Sequence, residues 1–139
     1  LACINYSWAN VQSVAISDGF VRETIPGTEL SSAYMKIANM TENSVTLLGA
    51  SSKISKRIEI HEHTMQNGMM NMRKRNAIVI NKQATVVLQP MGLHLMIFDL
   101  KKPLVDGQAI SLTLHFAAHP DVVVQLPVQS IKRKSKHHH

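Results

Sequence analysis

Cysteine is nearly absent from this sequence, since Cys3 is the only one among 139 residues. A single cysteine excludes an intramolecular disulfide, a CxxC redox motif and every zinc site that is built on several thiolates. The softest donors that remain in quantity are the thioether sulfurs of methionine. Any soft-metal chemistry in this chain therefore depends on methionine together with histidine.

Aromatic residues make up only 4% of the chain, and no apolar run approaches the roughly 18 residues that a membrane-spanning helix requires. The formal charge is +6, but much of the excess lies in one short segment near the end, formed by Lys132, Arg133, Lys134 and Lys136. A nucleic-acid surface usually combines a broad basic patch with aromatic rings that stack on bases. We therefore expect neither nucleic-acid binding nor a transmembrane segment.

Motifs that carry common enzyme chemistry are missing as well. The sequence contains no Gly-x-Ser-x-Gly elbow, no phosphate-binding loop, no HExxH helix and no isolated pair of carboxylates. These absences predict a protein that is not an enzyme.

The hydrophobic pattern is that of short strands. Apolar runs alternate with turn signals from about Val11 to Val128, and no segment keeps a helical period. This pattern predicts an all-β fold, a single antiparallel Greek-key barrel or sandwich. The strands are expected near Val14–Ile16, Ala33–Asn39, Ser44–Ser51, Arg57–His63, Met69–Met72, Thr85–Leu88, Leu93–Asp99, Ser111–Phe116 and Val122–Val128, with turns that include Asn67-Gly68 and Pro120-Asp121.

The chain is long enough for one domain with its own core. We place that domain at residues 10–130. Residues 131–139 are predicted to form a basic, disordered tail that ends in three histidines typical of a purification tag. Residues 1–9 are interpreted as the remnant of an export signal or as a flexible N-terminus.

Two interpretations of the first residues predict export. Ser7 and Ala9 suit the small-residue positions of a signal-peptide cleavage site, which would begin the mature chain at Asn10. Alternatively, Leu1-Ala2-Cys3 is a fragment of a lipoprotein signal in which Cys3 is lipidated. An ordinary N-terminal segment is the third alternative, and the sequence leaves all three open.

Histidine and methionine are both abundant, with eight of each. Many of them fall in the segment from His61 to Met72, and His94-Leu95-Met96 follows later. Imidazole nitrogen and uncharged thioether sulfur suit a soft monovalent ion far better than Mg(II) or Ca(II), while zinc usually takes thiolate, imidazole or carboxylate. The combination favours Cu(I).

The spacing allows these donors to converge. Residues two apart in a strand project from one face with α-carbons roughly 6.6 Å apart, so His94 and Met96 form a plausible half-site while Leu95 turns into the core. A hairpin at Asn67-Gly68 would bring Met72 towards His61 if the flanking strands pair.

These residues resemble a known family. His61, ten residues, Met72, twenty-one residues, His94, one residue and Met96 match the spacing of the periplasmic copper A chaperones, PCuAC. The resemblance extends over about Ala15 to Val128. It includes Phe20-Val21-Arg22, Pro26-Gly27, Ser32-Ala33-Tyr34, Gly49-Ala50-Ser51-Ser52, Glu59-Ile60-His61-Glu62 and Leu100-Lys101-Lys102-Pro103-Leu104.

The resemblance implies a cupredoxin-like β-barrel that holds Cu(I) through His61, Met72, His94 and Met96. It further implies a monomeric periplasmic metallochaperone that delivers copper towards the dinuclear site of cytochrome c oxidase, with a Sco-type protein and oxidase subunit II as partners. Family members often carry methionine shortly after the first histidine, where this chain has Glu62-His63. His63 is therefore a candidate auxiliary ligand.

Two other functions remain open at this stage. A blue-copper electron carrier would need a cysteine thiolate beside two histidines, for which Cys3 is the only candidate. A metal-free β-sandwich interaction module would explain the strands but not the spacing of the donors.

Several other soft or titratable residues fall outside the four-residue motif. Met65, Met69 and Met70 are interpreted either as a soft rim where copper enters or leaves, or as packing residues. His115 and His119 are expected to be structural or exposed.

Overall fold

The computed structural model describes residues 13–130. The predicted signal remnant at residues 1–9, including Cys3, and the predicted tail at residues 131–139 lie outside this range. In residues 13–130 the regular secondary structure consists of β-strands. This range contains no helix that is long and apolar enough to cross a membrane. The strands are β1 Val14–Arg22, β2 Ser31–Asn39, β3 Val45–Ser51, β4 Arg57–Gln66, β5 Met69–Arg75, β6 Ile78–Ile80, β7 Thr85–Leu88, β8 Leu93–Phe98, β9 Ala109–Ala117 and β10 His119–Gln129.

The predicted all-β class is confirmed, and the strands fall into two layers. One layer has the order β5-β4-β8-β2-β1, with β7 also paired to β2, and the other has the order β10-β9-β3-β6. The layers are joined where β1 pairs with β10. The path ends at β5 and β6 without closing, so the arrangement is a sandwich and not a closed barrel. The prediction of an antiparallel sheet holds for the other pairs, whereas β1 and β10 run parallel.

Two local predictions differ from the structure. Strand β6, Ile78–Ile80, was not predicted, because three consecutive apolar residues are too short to show a strand period. The predicted turn at Pro120-Asp121 is wrong. The chain reverses at Ala118, which has a positive φ of 64°, and Pro120 and Asp121 lie in a register shift within β10. A bulge tolerates proline because the extra residue need not donate to the ladder.

The core fixes the orientation of strand β8, which carries His94 and Met96. Leu95 and Ile97 are fully buried, as are Ile60 on β4 and Ala33 on β2. Burying a side chain such as leucine or isoleucine contributes roughly 1.5–3 kcal/mol, and a slip of one residue would turn these side chains outwards. The alternate residues of β8, including His94 and Met96, are therefore held on the opposite face of the layer.

The β4–β5 hairpin is closed by the predicted turn. Asn67 and Gly68 both have positive φ, 54° and 77°, as a two-residue type I′ connection requires. The tight turn sets the register of the hairpin, in which His63 pairs with Met72 and Met65 pairs with Met70.

Candidate metal centre

The centre of the site is the pairing of β4 with β8. His61 lies directly opposite His94 in this antiparallel pair, and Glu59 lies opposite Met96. Residues opposite each other in such a ladder project from the same face of the sheet. The two imidazole rings accordingly face the same space, with their centroids 6.0 Å apart.

Met72 reaches the same place from the edge strand β5. Its register partner is His63, but its side chain runs diagonally, so that Sδ lies 3.2 Å from Nδ1 of His61. Met72 is 44% exposed, and the residue is therefore partly open to solvent. The sequence-based expectation that the hairpin brings Met72 to His61 is met, although the register is shifted by two residues from a direct pairing.

Met96 lies two residues along β8 from His94. It is half-buried between its neighbours on β4 and β2, Glu59 and Ser32. The hydroxyl of Ser32 lies 3.9 Å from Sδ of Met96. The structure therefore places all four predicted donors on one face of the β5-β4-β8-β2 region.

Hydrogen bonds orient both histidine rings. Nε2 of His61 lies 2.9 Å from Oε1 of Glu59; a carboxylate can only accept, so Nε2 carries the proton and donates. In the neutral ring Nδ1 then has a lone pair directed at the Met72 sulfur. For His94, Nδ1 lies 3.1 Å from the carbonyl oxygen of Gly92 and donates to it, which leaves the lone pair on Nε2. Two nitrogens and a sulfur thus present electron pairs in one region.

The surroundings favour the neutral form of the His94 ring and the ionised form of Glu59. His94 is only 2% exposed, and burial lowers its pKa because the charged imidazolium loses its hydration. The hydrogen bond from His61, followed by that from Arg57, lowers the pKa of the Glu59 carboxyl. Lys74 lies 3.8 Å from the same carboxylate.

Aromatic rings flank the donors. The Phe98 ring lies 5.6 Å from that of His61, and the guanidinium carbon of Arg57 lies 3.9 Å above Phe98. The Tyr34 ring lies 6.3 Å from that of His94. These groups limit the access of water to the rings of the two histidines.

His63, the auxiliary candidate, is nearer to His94 than His61 is. The ring centroids of His63 and His94 are 5.1 Å apart. Nδ1 of His63 is buried, and it has no hydrogen-bond partner among residues 13–130.

The same range offers no cluster of the commoner metal-binding side chains. Residues 13–130 contain no group of three or more histidine, cysteine, aspartate or glutamate side chains placed to hold a metal ion. The methionine sulfurs on the same face are the candidate further ligands for a metal held at the His61–His94 pair. The sequence interpretation did not assign roles to Glu59, Ser32 or Phe98, because only the folded register places them beside the donors.

His115 and His119 lie away from this face, on β9 and β10. The hydroxyl of Ser51 is 2.7 Å from Nε2 of His115, whose Nδ1 is 3.2 Å from Oδ1 of Asp121. This serine–histidine–aspartate chain has the connectivity of a hydrolase triad, but its members lie on the open outer surface of the sheet. Hydrolysis also requires positioned oxyanion donors and a substrate site. We interpret the contacts as structural.

Comparisons with known proteins show the family to which the chain belongs. The model of the family described as "Putative lipoprotein LpqE-like" matches residues 14–128. This chain belongs to the LpqE-like family. A curated relative, "Putative lipoprotein Lxx21020" of Leifsonia xyli subsp. xyli (strain CTCB07), is 30% identical over 117 residues, which are 84% of this chain and 69% of the relative.

Solved structures confirm the resemblance of this LpqE-like chain to PCuAC domains. The copper-bound PCuAC domain from PmoF2 is 21% identical with a TM-score of 0.72, covering 84% of this chain and 92% of the domain. The Cu(I) form of DR1885 from Deinococcus radiodurans is 26% identical with a TM-score of 0.65, covering 80% of this chain and 74% of the other. The cupredoxin-like sandwich expected from the sequence is thereby confirmed.

Proposed function

We propose that this LpqE-like protein is an exported metallochaperone that binds one Cu(I) ion through His61, Met72, His94 and Met96. The observation that carries this proposal is the 3.2 Å approach of the His61 Nδ1 atom to the Met72 sulfur. Because Nε2 of His61 donates to Glu59, both facing atoms have lone pairs when the ring is in its neutral form. A cation is the natural partner for such a pair.

The donor set selects the ion. Two neutral imidazoles and two thioethers bring no negative charge, so a Cu(I) complex keeps unit positive charge and a doubly charged ion would be poorly compensated. Thioether sulfur is soft, which favours Cu(I) over zinc, for which thiolate and carboxylate ligands are usual. Copper is here the cargo, and no redox step is required.

The relatives support both the ion and the location. One structural relative is described as copper-bound and another as the Cu(I) form, and the family and its curated relative are described as lipoproteins. By extension, we propose that this chain acts outside the cytoplasm, in the periplasm, with Cys3 as the candidate lipid attachment site.

Delivery follows from the openness of the site. Met72 is a partly exposed residue of an edge strand, so a partner with thiolate ligands can approach the ion and exchange ligands with it. The resemblance to PCuAC supports a Sco-type protein and subunit II of cytochrome c oxidase as partners, with the dinuclear copper site as the destination.

The test is Cu(I) binding measured by competition with a chromophoric chelator under anaerobic conditions. The variant Met72→Leu/Met96→Leu preserves side-chain volume but removes both sulfurs. We expect it to lose high-affinity binding. Met40→Leu is a matched control, because Met40 is also exposed and follows β2 outside the site. Equal high-affinity uptake by the double variant and the wild type would remove the proposed site.

A further inference from the structure

The β4–β5 hairpin exposes an unusual number of thioethers. Met65 and Met69 are each 66% exposed, and Met70 and Met72 are each 44% exposed. Burial of a methionine side chain is worth roughly 1.5–3 kcal/mol, so packing does not explain why one hairpin keeps these four in solvent. Only Met72 belongs to the proposed copper site.

The register sorts these methionines onto two faces. Met65 pairs with Met70, next to the pair formed by His63 and Met72. Direct partners share a face with β-carbons roughly 5 Å apart, and alternate residues of β4 also share a face. Met65, Met70 and His63 therefore lie on the same face as His61, nearer the tip of the hairpin. Met69 pairs with Gln66 on the opposite face.

His63 connects the two regions. Its ring lies 5.1 Å from that of His94, and its register neighbours on the other side are the Met65–Met70 pair. Nδ1 of His63 is buried without a hydrogen-bond partner within residues 13–130. Leaving such a nitrogen unpaired costs free energy, and a metal ligand role would compensate it.

We propose that Met65, Met70 and His63 form a second Cu(I) site at the tip of the hairpin, through which the ion reaches the site at His61. The inference rests on the proposed function, since it concerns the same ion. Met65 and His61 are four residues apart on β4, roughly 13 Å, and His63 lies midway. In the transfer, the bonds from copper to Met65, Met70 and His63 break, and bonds to the four ligands of the first site form in their place. The ion remains Cu(I), and no electron or proton is consumed.

Methyl NMR of the protein labelled with ¹³C at the methionine methyl groups tests this proposal, with Cu(I) added anaerobically. The first equivalent is expected to shift the signals of Met72 and Met96, and the second those of Met65 and Met70, while Met69 stays unchanged. If Met72 and Met96 respond but Met65 and Met70 do not, the second site is wrong and the proposed function stands. If none responds, both fail. An equal response of Met69 would indicate non-specific thioether binding and would also overturn the second site.

Matched variants give a second readout. Met65→Leu/Met70→Leu removes the sulfurs of the site, whereas Met69→Leu removes an equally exposed sulfur from the other face of the same hairpin. Leucine keeps the volume of methionine, and circular dichroism verifies the fold. The Cu(I) stoichiometry is expected to fall from two to one in the double variant and to stay at two in Met69→Leu. A stoichiometry of one in the wild type would contradict the proposal and would leave these methionines a role in contacting another protein.

Discussion

The hydrogen bonds of single residues decide which atoms the candidate site offers to a metal. Glu59 holds the Nε2 proton of His61, and the carbonyl of Gly92 holds the Nδ1 proton of His94. Second ligand shells of this kind fix the ring orientation and raise the basicity of the nitrogen that faces the metal. Glu59 is therefore a positioning residue for the proposed site, not one of its ligands.

Replacement of this carboxylate gives the first prediction. Glu59→Gln is expected to weaken Cu(I) binding by about 10- to 100-fold, the usual cost of losing a carboxylate that supports a ligating histidine. Competition titration measures the effect. Glu62→Gln is the control, because Glu62 bonds to Arg75 on the opposite face of β4. Identical affinities of the two variants would show that Glu59 does not act through His61.

Protonation of His94 gives the second prediction. Burial lowers its pKa below the ordinary value of 6.5, so the unfolded chain binds this proton first as the pH falls. The free energy of unfolding should therefore be insensitive to this group well above pH 6.5 and should decrease as the pH falls through 6.5 towards the lower pKa of the folded state. Urea unfolding of the metal-free protein measures this trend.

A companion variant isolates the histidine. In His94→Leu, the part of the pH dependence near and below 6.5 that belongs to His94 should be missing. If the difference in unfolding free energy between wild type and variant is constant from pH 7.5 to 5, His94 is not the responsible group.

For single residues, the sequence predicted the candidate donors but not the groups that orient them. Histidines and methionines at a fixed spacing can be recognised without a structure. In the fold, the four candidate donors lie on one face of the sheet. Glu59 could not be singled out, because its contact with His61 depends on side-chain direction within the folded strand. The burial of His94 could not be predicted either, because it results from strands that are distant in sequence.

Among the secondary-structure elements, the β4–β5 hairpin controls the position of Met72. Its turn needs a residue with positive φ at Gly68, 77°, where a β-carbon costs roughly 1–2 kcal/mol. We predict that Gly68→Ala lowers the free energy of unfolding by about 1 kcal/mol and also weakens Cu(I) binding, since Met72 depends on the hairpin geometry. Thermal unfolding and chelator competition measure the two effects.

Gly107→Ala is the control for this strain. Gly107 also has a positive φ, 100°, and a β-carbon at either glycine meets no atom within 4 Å. Both variants should be destabilised to a similar extent, but only Gly68→Ala should bind copper less tightly. Unchanged copper affinity in Gly68→Ala would separate the turn from the site.

Some secondary-structure elements could be predicted from the sequence pattern, and others could not. The Asn67-Gly68 turn was predictable, because few residue pairs accept two consecutive positive φ values. Strand β6 was not, since Ile78–Ile80 gains its strand character from pairing with β3. Pro120 was misinterpreted because proline signals both turns and bulges, and only the register distinguishes them.

At the scale of the whole molecule, the candidate donors all belong to one layer of the sandwich. They are contributed by β4, β5 and β8, whereas the other layer supplies buried residues such as Leu112 and Leu114. Metal binding and core packing therefore depend on separate sets of side chains, although both stabilise the folded state.

This arrangement predicts that Cu(I) raises stability by mass action. At a free Cu(I) concentration 100 times the Kd, the free energy of unfolding should increase by about 2.7 kcal/mol, which corresponds to several degrees in Tm. Differential scanning calorimetry with buffered Cu(I) measures the shift. Without copper, Met72→Leu/Met96→Leu should unfold near the wild-type apo temperature, and with copper its Tm should rise clearly less than that of the wild type. A shift of equal size would place the stabilising ion elsewhere.

The position of β5 at the open end of the sheet has one more consequence. Among residues 13–130, only β4 pairs with this strand through main-chain hydrogen bonds, so its local opening should require less free energy than that of an interior strand. An ion bound to both Met72 and His94 would link β5 to β8 across the intervening strand β4. Release of copper and local opening of β5 would then be coupled. The hydrogen-exchange rates of the β5 amides would therefore distinguish the copper-bound protein from the copper-free protein.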